Sequence, residues 1–219
     1  MKNFKSVIAA LVIMTVVLIC PAYGMKAAEL TPAEKLNILG ILIGPGTDVT
    51  PEYLGKPATR IDSAILMLKL MGLIGEAEGY TGEANFLDFG EALSLYSKTV
   101  MGYLKSNPSL GYVGYLDKFD PNAPVTDQMF YKVLLTLLGY RQDDDFRWNE
   151  TNVMARLAGM EEIAGRGELV IGDLAAAIVE ALGCEVKDTG ILLAEQLVLN
   201  GVLDIDDVHA AGWDYIVID

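Results

Sequence analysis

The residues of this sequence that could do chemistry form none of the common catalytic arrangements. The chain has no G-x-S-x-G nucleophile motif, no phosphate-binding P-loop, no Cys-x-x-Cys pair and no H-E-x-x-H zinc motif. Its one histidine, His209, lies in an acidic stretch without a cysteine or a second histidine, which argues against a metal site. The acidic residues fall mainly in loops and at helix starts, whereas a two-carboxylate hydrolase needs fixed acids in a substrate-sized groove. We therefore expect no enzymatic activity, no cofactor and no metal.

Aromatic side chains are the next candidates for binding. Tyr112 and Tyr115 stand in the glycine-containing stretch GYVGY, where their rings could stack on sugars. Tyrosines in such a loop are equally typical of a lid over a helical core. Trp148 directly precedes a predicted helix, and we expect it to be a packing anchor.

The N-terminal residues predict export. Residues 1–24 carry Lys2 and Lys5, an apolar run from residue 7 to residue 19, and small residues at Ala22 and Gly24, the pattern of a secretory signal peptide. The apolar run is shorter than the roughly 20 residues that cross a bilayer, which argues against a retained anchor. Loss of this segment removes two lysines and no acid, so the net charge of −14 becomes −16. Such an acidic surface argues against nucleic acid and anionic membranes as partners.

One helical pattern occurs three times and must position the candidate residues. Segments 57–72, 124–139 and 169–183 align on their final glycines without a gap, and apolar residues recur at four equivalent places in each. Their i, i+3, i+4, i+7 spacing predicts an amphipathic helix. The first two copies open with Pro-x-Thr, whose hydroxyl can cap the helix, and all three end at a glycine suited to the left-handed conformation. The apolar stripe consists of Ala64, Met67, Leu68 and Met71; Tyr131, Leu134, Leu135 and Leu138; and Ala175, Ile178, Val179 and Leu182.

A shorter predicted helix and a glycine-bearing loop precede each copy. These helices are expected at 30–44, with Thr31-Pro32 as its start, at about 86–110, and at 150–159. A further helix from Leu192 to Gly201 is expected to cap the third unit.

The predicted chain is all-α and is divided by two linkers, at 75–84 and 142–145. We expect a signal peptide at 1–24, repeats at 25–84, 85–145 and 146–203, the last with the capping helix, and an acidic tail at 204–219. Cys184 is the only cysteine beyond the signal peptide, so no disulfide framework is expected and packing must supply the stability.

The motifs in these repeats resemble those of S-layer homology (SLH) domains. The letters FDP at 119–121 and PVT at 124–126 stand where that family has F-x-P and P-x-T-R. FLD at 86–88 resembles its opening F-x-D, and GDLA at 172–175 resembles its T-R-G-D-x-A variant. The resemblance covers residues 30–203, nearly all of the chain that remains after export.

This resemblance implies a fold and a function. Three helix–loop–helix repeats would pack as a pseudo-threefold bundle with an extra C-terminal helix, and would bind a secondary cell-wall polysaccharide on a Gram-positive surface. In the family, the arginine of a T-R-A-E motif lies in grooves between repeats and pairs with acidic groups of the glycan, since guanidinium matches a carboxylate with two parallel hydrogen bonds. The first unit keeps this pair as Thr59-Arg60, whereas the second has Thr126-Asp127 and the third has Val170-Ile171.

Six residues are therefore candidate ligand contacts: Thr59, Arg60, Asp62, Tyr112, Tyr115 and Thr126. Arg60 would anchor the one groove that keeps its cation; alternatively, it forms a surface ion pair with Asp62 or a neighbouring acid. Asp62 also suits the first turn of a helix, where the dipole favours an acid. We expect a secreted surface protein that binds an anionic wall polysaccharide non-covalently. The alternative is a degenerate SLH scaffold that binds another surface protein and no glycan.

Overall fold

The computed structural model describes residues 29–43, 49–91 and 94–218, and the predicted signal peptide lies outside them. Within these ranges the regular structure is helical, without a β-strand, which confirms the all-α class. No helix there is both long and apolar enough to cross a membrane. The α-helices are α1 (Pro32–Ile38), α2 (Pro51–Leu54), α3 (Arg60–Leu70), α4 (Ile74–Glu78), α5 (Leu95–Ser106), α6 (Asp127–Leu137), α7 (Thr151–Leu157), α8 (Ile171–Leu182), α9 (Leu193–Leu199) and α10 (Ile205–Ala210). Short 3₁₀ turns occur at Phe89–Glu91, Pro108–Leu110 and Trp148–Glu150.

The helices predicted from the repeated pattern are α3, α6 and α8, and each begins where the alignment places it. Their N-cap residues are Thr59, Thr126 and Val170. Both threonine hydroxyls accept a hydrogen bond at 3.3 Å from the backbone N–H three residues further on. Val170 has no polar side chain, and its own N–H donates instead to the carboxylate of Asp173 at 3.0 Å.

The apolar stripes are buried as predicted, but one of the helix stops differs. Ten of the twelve stripe residues are buried, and Met71 and Val179 are half-buried. Gly72 and Gly139 have φ angles of +71° and +89°, as the left-handed stop requires. The prediction is wrong for Gly183, which has a φ of −87°. Because α8 continues up to the residue before it, Gly183 is the C-cap itself and does not follow one.

Helix α5 and the last residues of the chain differ from the sequence prediction. α5 begins at Leu95, well after the expected start near residue 86, and residues 86–91 form a turn in which Asp88 is buried. The short helices α2, α4 and α10 were not predicted, because four to six residues are too few to show an apolar period. Of these, α4 overlaps the start of the expected first linker, and α10 lies within the expected tail. Beyond α10, Trp213 is 6% exposed and lies 5.0 Å from the ammonium of Lys35, so this end of the chain packs against α1.

The starts of α3, α6 and α8 are joined by a closed cycle of backbone hydrogen bonds. The N–H of Ala58 donates to Leu169 at 2.8 Å, that of Leu169 to Val125 at 3.0 Å, and that of Val125 back to Ala58 at 3.0 Å. All three side chains are buried. A second set of backbone hydrogen bonds flanks the first. In it the N–H of Arg60 donates to the carbonyl of Ala123, that of Asp127 to Gly167, and that of Ile171 to Lys56. We call segments 56–60, 123–127 and 167–171 the central ring.

The glycines that follow α6 and α8 offer a matched test of the helix stops. Gly139 and Gly183 differ in the sign of φ, while an added Cβ would meet its nearest neighbour at 3.5 Å in both. Gly139→Ala should lower the free energy of unfolding by about 1–2 kcal/mol, the cost of the left-handed conformation for a residue with a Cβ. Gly183→Ala should leave it unchanged or raise it by up to about 1 kcal/mol, because alanine restricts the unfolded chain. Chemical denaturation measures both values, and equal losses in the two variants would contradict the assigned backbone conformations.

Candidate functional site

A cleft with a volume of about 360 Å³ opens beside the first turn of α3. This volume lies within the roughly 300–1,000 Å³ range of small-ligand sites. The walls come from α3, from residues 111–115 of the loop before α6, from α6 itself, and from residues 142 and 148. Of the six predicted contacts, Arg60, Tyr112 and Tyr115 line this cleft. We call it the Arg60 cleft.

Arg60 is fixed by the central ring, and its side chain lies in the cleft. Its guanidinium carbon is 5.2 Å from the centre of the Phe119 ring, and its Nη1 is 3.7 Å from the sulfur of Met129. Its Nε is buried and has no hydrogen-bond partner among the residues that the structure describes. The ion pairs found in the described ranges involve other residues. The guanidinium therefore has donors left for a ligand.

Asp62 does not neutralise Arg60. Its carboxylate accepts hydrogen bonds from the N–H of Thr59 at 3.0 Å and from the Thr59 hydroxyl at 2.6 Å, which completes a capping box. The predicted ion pair between Arg60 and Asp62 is therefore wrong, because the helix cap uses this carboxylate. Thr59, Asp62 and Thr126 stand at helix starts and do not line the cleft.

Lys132 supplies a second cation, which the sequence analysis missed. Its ammonium donates to the carbonyl oxygen of Gly111 at 2.6 Å. Burial lowers the pKa of both Arg60 and Lys132 below their ordinary values. The negative charge of Asp120 acts against this shift at Arg60, and that of Asp143 acts against it at Lys132. None of the described Asp and Glu residues lines the cleft, although acidic residues outnumber basic ones by 30 to 16 in the chain. The cleft is thus a locally cationic part of an acidic protein.

The aromatic residues of the cleft divide into a buried one and two exposed ones. Tyr112 is 8% exposed, donates its hydroxyl to Ser63 at 3.3 Å and packs on Phe119 with 6.1 Å between the ring centres. Burial raises the pKa of this phenol. Tyr115 and Trp148 are 76% and 42% exposed. Tyr112 therefore fits the packing alternative, while Tyr115 and Trp148 present rings to solvent, and the expectation that Trp148 is a packing anchor is wrong.

A buried carboxylate shapes the loop that carries both tyrosines. Asp88 accepts hydrogen bonds from the N–H of Phe119 at 2.9 Å and of Asp120 at 2.6 Å. Gly114 makes a close turn there, with a φ of +71°, and a Cβ on it would lie 2.4 Å from the carbonyl oxygen of Lys118. The F-x-D and F-x-P stretches of the sequence thus meet through Asp88, which holds one wall of the cleft.

Asp127 and Ile171 occupy the places in the central ring that correspond to Arg60, but neither presents a charge to solvent. The carboxylate of Asp127 is buried and accepts hydrogen bonds from the N–H of Gly165 at 2.6 Å and from the amide of Asn152 at 2.9 Å. Ile171 is 4% exposed and belongs to the core. Ile171 therefore packs in the core, and Asp127 holds the loop that contains Gly165.

The sequence of α6 contains a signal for the wall of the cleft that the sequence analysis did not predict. Met129, Lys132 and Val133 all line the cleft, and their i, i+3, i+4 spacing places them on one face of the helix. Gln142 also lines the cleft, although the sequence analysis assigned it to a linker. Their shared helix face could have identified Met129, Lys132 and Val133 from the sequence. The place of Gln142 in the cleft depends instead on the path of the chain after α6.

No family model matches this chain, and no curated protein matches it. The resemblance to SLH domains therefore depends on the quoted motifs alone.

In the part of the chain that the structure describes, no group of three or more His, Cys, Asp or Glu residues is arranged to hold a metal ion.

Asp88 can be tested for its role in shaping the cleft. Asp88→Asn leaves one oxygen for two N–H donors, so the free energy of unfolding should fall by about 1–3 kcal/mol. The amides of Phe119 and Asp120 should also exchange with deuterium faster. Asp214→Asn removes the same charge from an exposed position and should change neither quantity. Unaltered exchange at Phe119 and Asp120 in Asp88→Asn would contradict the assigned role.

Proposed function

We propose that this chain is a secreted surface protein of a Gram-positive-type bacterium that binds an anionic cell-wall polysaccharide non-covalently at the Arg60 cleft. The supporting observation is that two half-buried cations, Arg60 and Lys132, share a cleft with the exposed rings of Tyr115 and Trp148, and that no acid of the described ranges lines it. This combination suits a sugar that carries an acidic group.

The chemistry follows from these side chains. A guanidinium binds a carboxylate or ketal acid through two parallel hydrogen bonds, and such charge-assisted bonds are stronger than neutral ones. The partial burial of both cations strengthens their attraction for an anion, because the effective dielectric constant is lower there than in water. The rings of Tyr115 and Trp148 offer apolar faces on which the C–H face of a sugar can pack.

The proposal includes a degenerate SLH-type arrangement of three repeats around a pseudo-threefold axis. The central ring supports it, because the backbone hydrogen bonds that join segments 56–60, 123–127 and 167–171 use equivalent residues of each segment as donors and as acceptors. The equivalent N-cap positions of α3, α6 and α8 give further support.

The overall charge of the protein opposes this ligand, so local contacts must hold it. Without residues 1–24 the net charge is −16, which repels a polyanion at long range. At about 0.15 M salt the screening length is about 8 Å, which weakens this repulsion more than it weakens contacts inside the cleft. Binding is therefore best measured at that salt concentration.

One observation favours the scaffold alternative. Val153 and Leu157 stand four residues apart on α7 and are 56% and 76% exposed. Their spacing places two apolar side chains on one face of the helix, where another protein could pack.

The test is binding of residues 25–219 to purified anionic wall polysaccharide from the source cells. Arg60→Ala should weaken binding about 10- to 100-fold, the equivalent of a charge-assisted hydrogen bond worth about 1.5–3 kcal/mol. Arg156→Ala is the matched control, because it removes an exposed arginine of α7 that does not line the cleft. It should bind like the unmodified chain.

Three results would count against the proposal. Equal binding by Arg60→Ala would mean that the Arg60 cleft is not the site. Absence of binding by the unmodified chain would exclude the polysaccharide. Retention on walls stripped of polysaccharide, lost on Leu157→Asp, would favour the scaffold.

A further inference from the structure

A second cleft adjoins the Arg60 cleft and shares part of its wall. Gly111, Lys132 and Gln142 line both. The second cleft has a volume of about 510 Å³ and lies along the C-terminal half of α6, between the Pro108–Leu110 turn and residues 139–142. We call it the Arg141 cleft.

Lys132 stands at the junction of the two clefts. Its ammonium is bound to the carbonyl oxygen of Gly111 at 2.6 Å, and its own carbonyl accepts the hydroxyl of Thr136 at 2.9 Å. The ammonium has three donors, and one of them is used by Gly111. The remaining donors are available to an anion in either cleft.

The Arg141 cleft continues the same charge pattern. Arg141 adds a third cation, and in the described part of the chain no Asp or Glu lines this cleft either. The nearby acid Asp145 is occupied by the N–H of Arg141 at 2.7 Å and the ammonium of Lys187 at 2.5 Å. Asp143 lies close enough to Lys132 to favour its charged form, and accepts from the amide of Gln142 at 3.4 Å.

We propose that the two clefts form one continuous groove in which Arg60, Lys132 and Arg141 hold successive acidic groups of a polysaccharide chain. This inference rests on the proposed function and extends it from a single acidic sugar to a run of at least two acidic units. The hydroxyl-bearing residues Ser109, Thr136 and Tyr140 line the Arg141 cleft and suit a hydroxyl-rich ligand.

A continuous groove predicts a dependence of affinity on ligand length. Once one unit is bound beside Arg60, the next acidic unit is held near Arg141 at a high effective concentration. Affinity should then rise with chain length until the groove is filled. A site for a single unit would show no such rise.

The experiment measures the affinity of residues 25–219 for size-fractionated fragments of purified acidic wall polysaccharide, from one to about six repeating units. We expect a rise of about tenfold or more between the shortest fragment and fragments that fill the groove. Arg141→Gln should remove most of this rise, and it should weaken binding of the single unit less than Arg60→Gln does. Arg60→Gln should weaken binding at every length, and Arg156→Gln should behave like the unmodified chain.

The outcomes separate this inference from the proposed function. An affinity that does not depend on length, or that rises equally in Arg141→Gln, overturns the continuous groove while the Arg60 cleft stands. Failure of every fragment to bind the unmodified chain overturns the proposed function, and the groove with it. The thermal unfolding of each variant is compared with the unmodified chain to establish that it is folded.

Discussion

The closed cycle of backbone hydrogen bonds at the starts of α3, α6 and α8 is the constraint on which the rest of the structure depends. The first N–H groups of a helix have no partner within the helix. Here those of Arg60, Asp127 and Ile171 are satisfied by carbonyl groups of the neighbouring ring segments. The bonds join backbone to backbone, so they fix where each first residue stands without specifying its side chain.

This freedom explains how three equivalent positions acquire three roles. Ile171 adds to the core, and Asp127 uses its buried carboxylate to hold the loop that contains Gly165. Arg60 alone among them carries a cation into an open cleft. An acidic protein can therefore present one small cationic surface, because its position is set by the backbone and none of the described Asp and Glu residues lines it.

What could be predicted from the sequence is what depends on residues close together in the chain. The caps at Thr59 and Thr126 and the buried stripes are of this kind. The Thr-x-x-Asp spacing of Thr59 and Asp62 was also a local capping-box signal, and it explains why Asp62 does not pair with Arg60.

The cleft itself could not be predicted in the same way, because its walls come from distant segments. Trp148 and Gln142 reach it only through the path of the chain after α6. Asp88 was visible as part of a motif, but its role requires the contact with Phe119 and Asp120, which lie far along the chain.

The most direct test of the account is a nuclear magnetic resonance titration of isotopically labelled residues 25–219 with purified acidic wall polysaccharide. The account predicts that the largest shifts are those of the amides of Arg60, Gly111 and Gly114 and the indole N–H of Trp148, while those of Asp127 and Ile171 stay in place. Shifts centred on Val153 and Leu157, or no shifts at all, would contradict it.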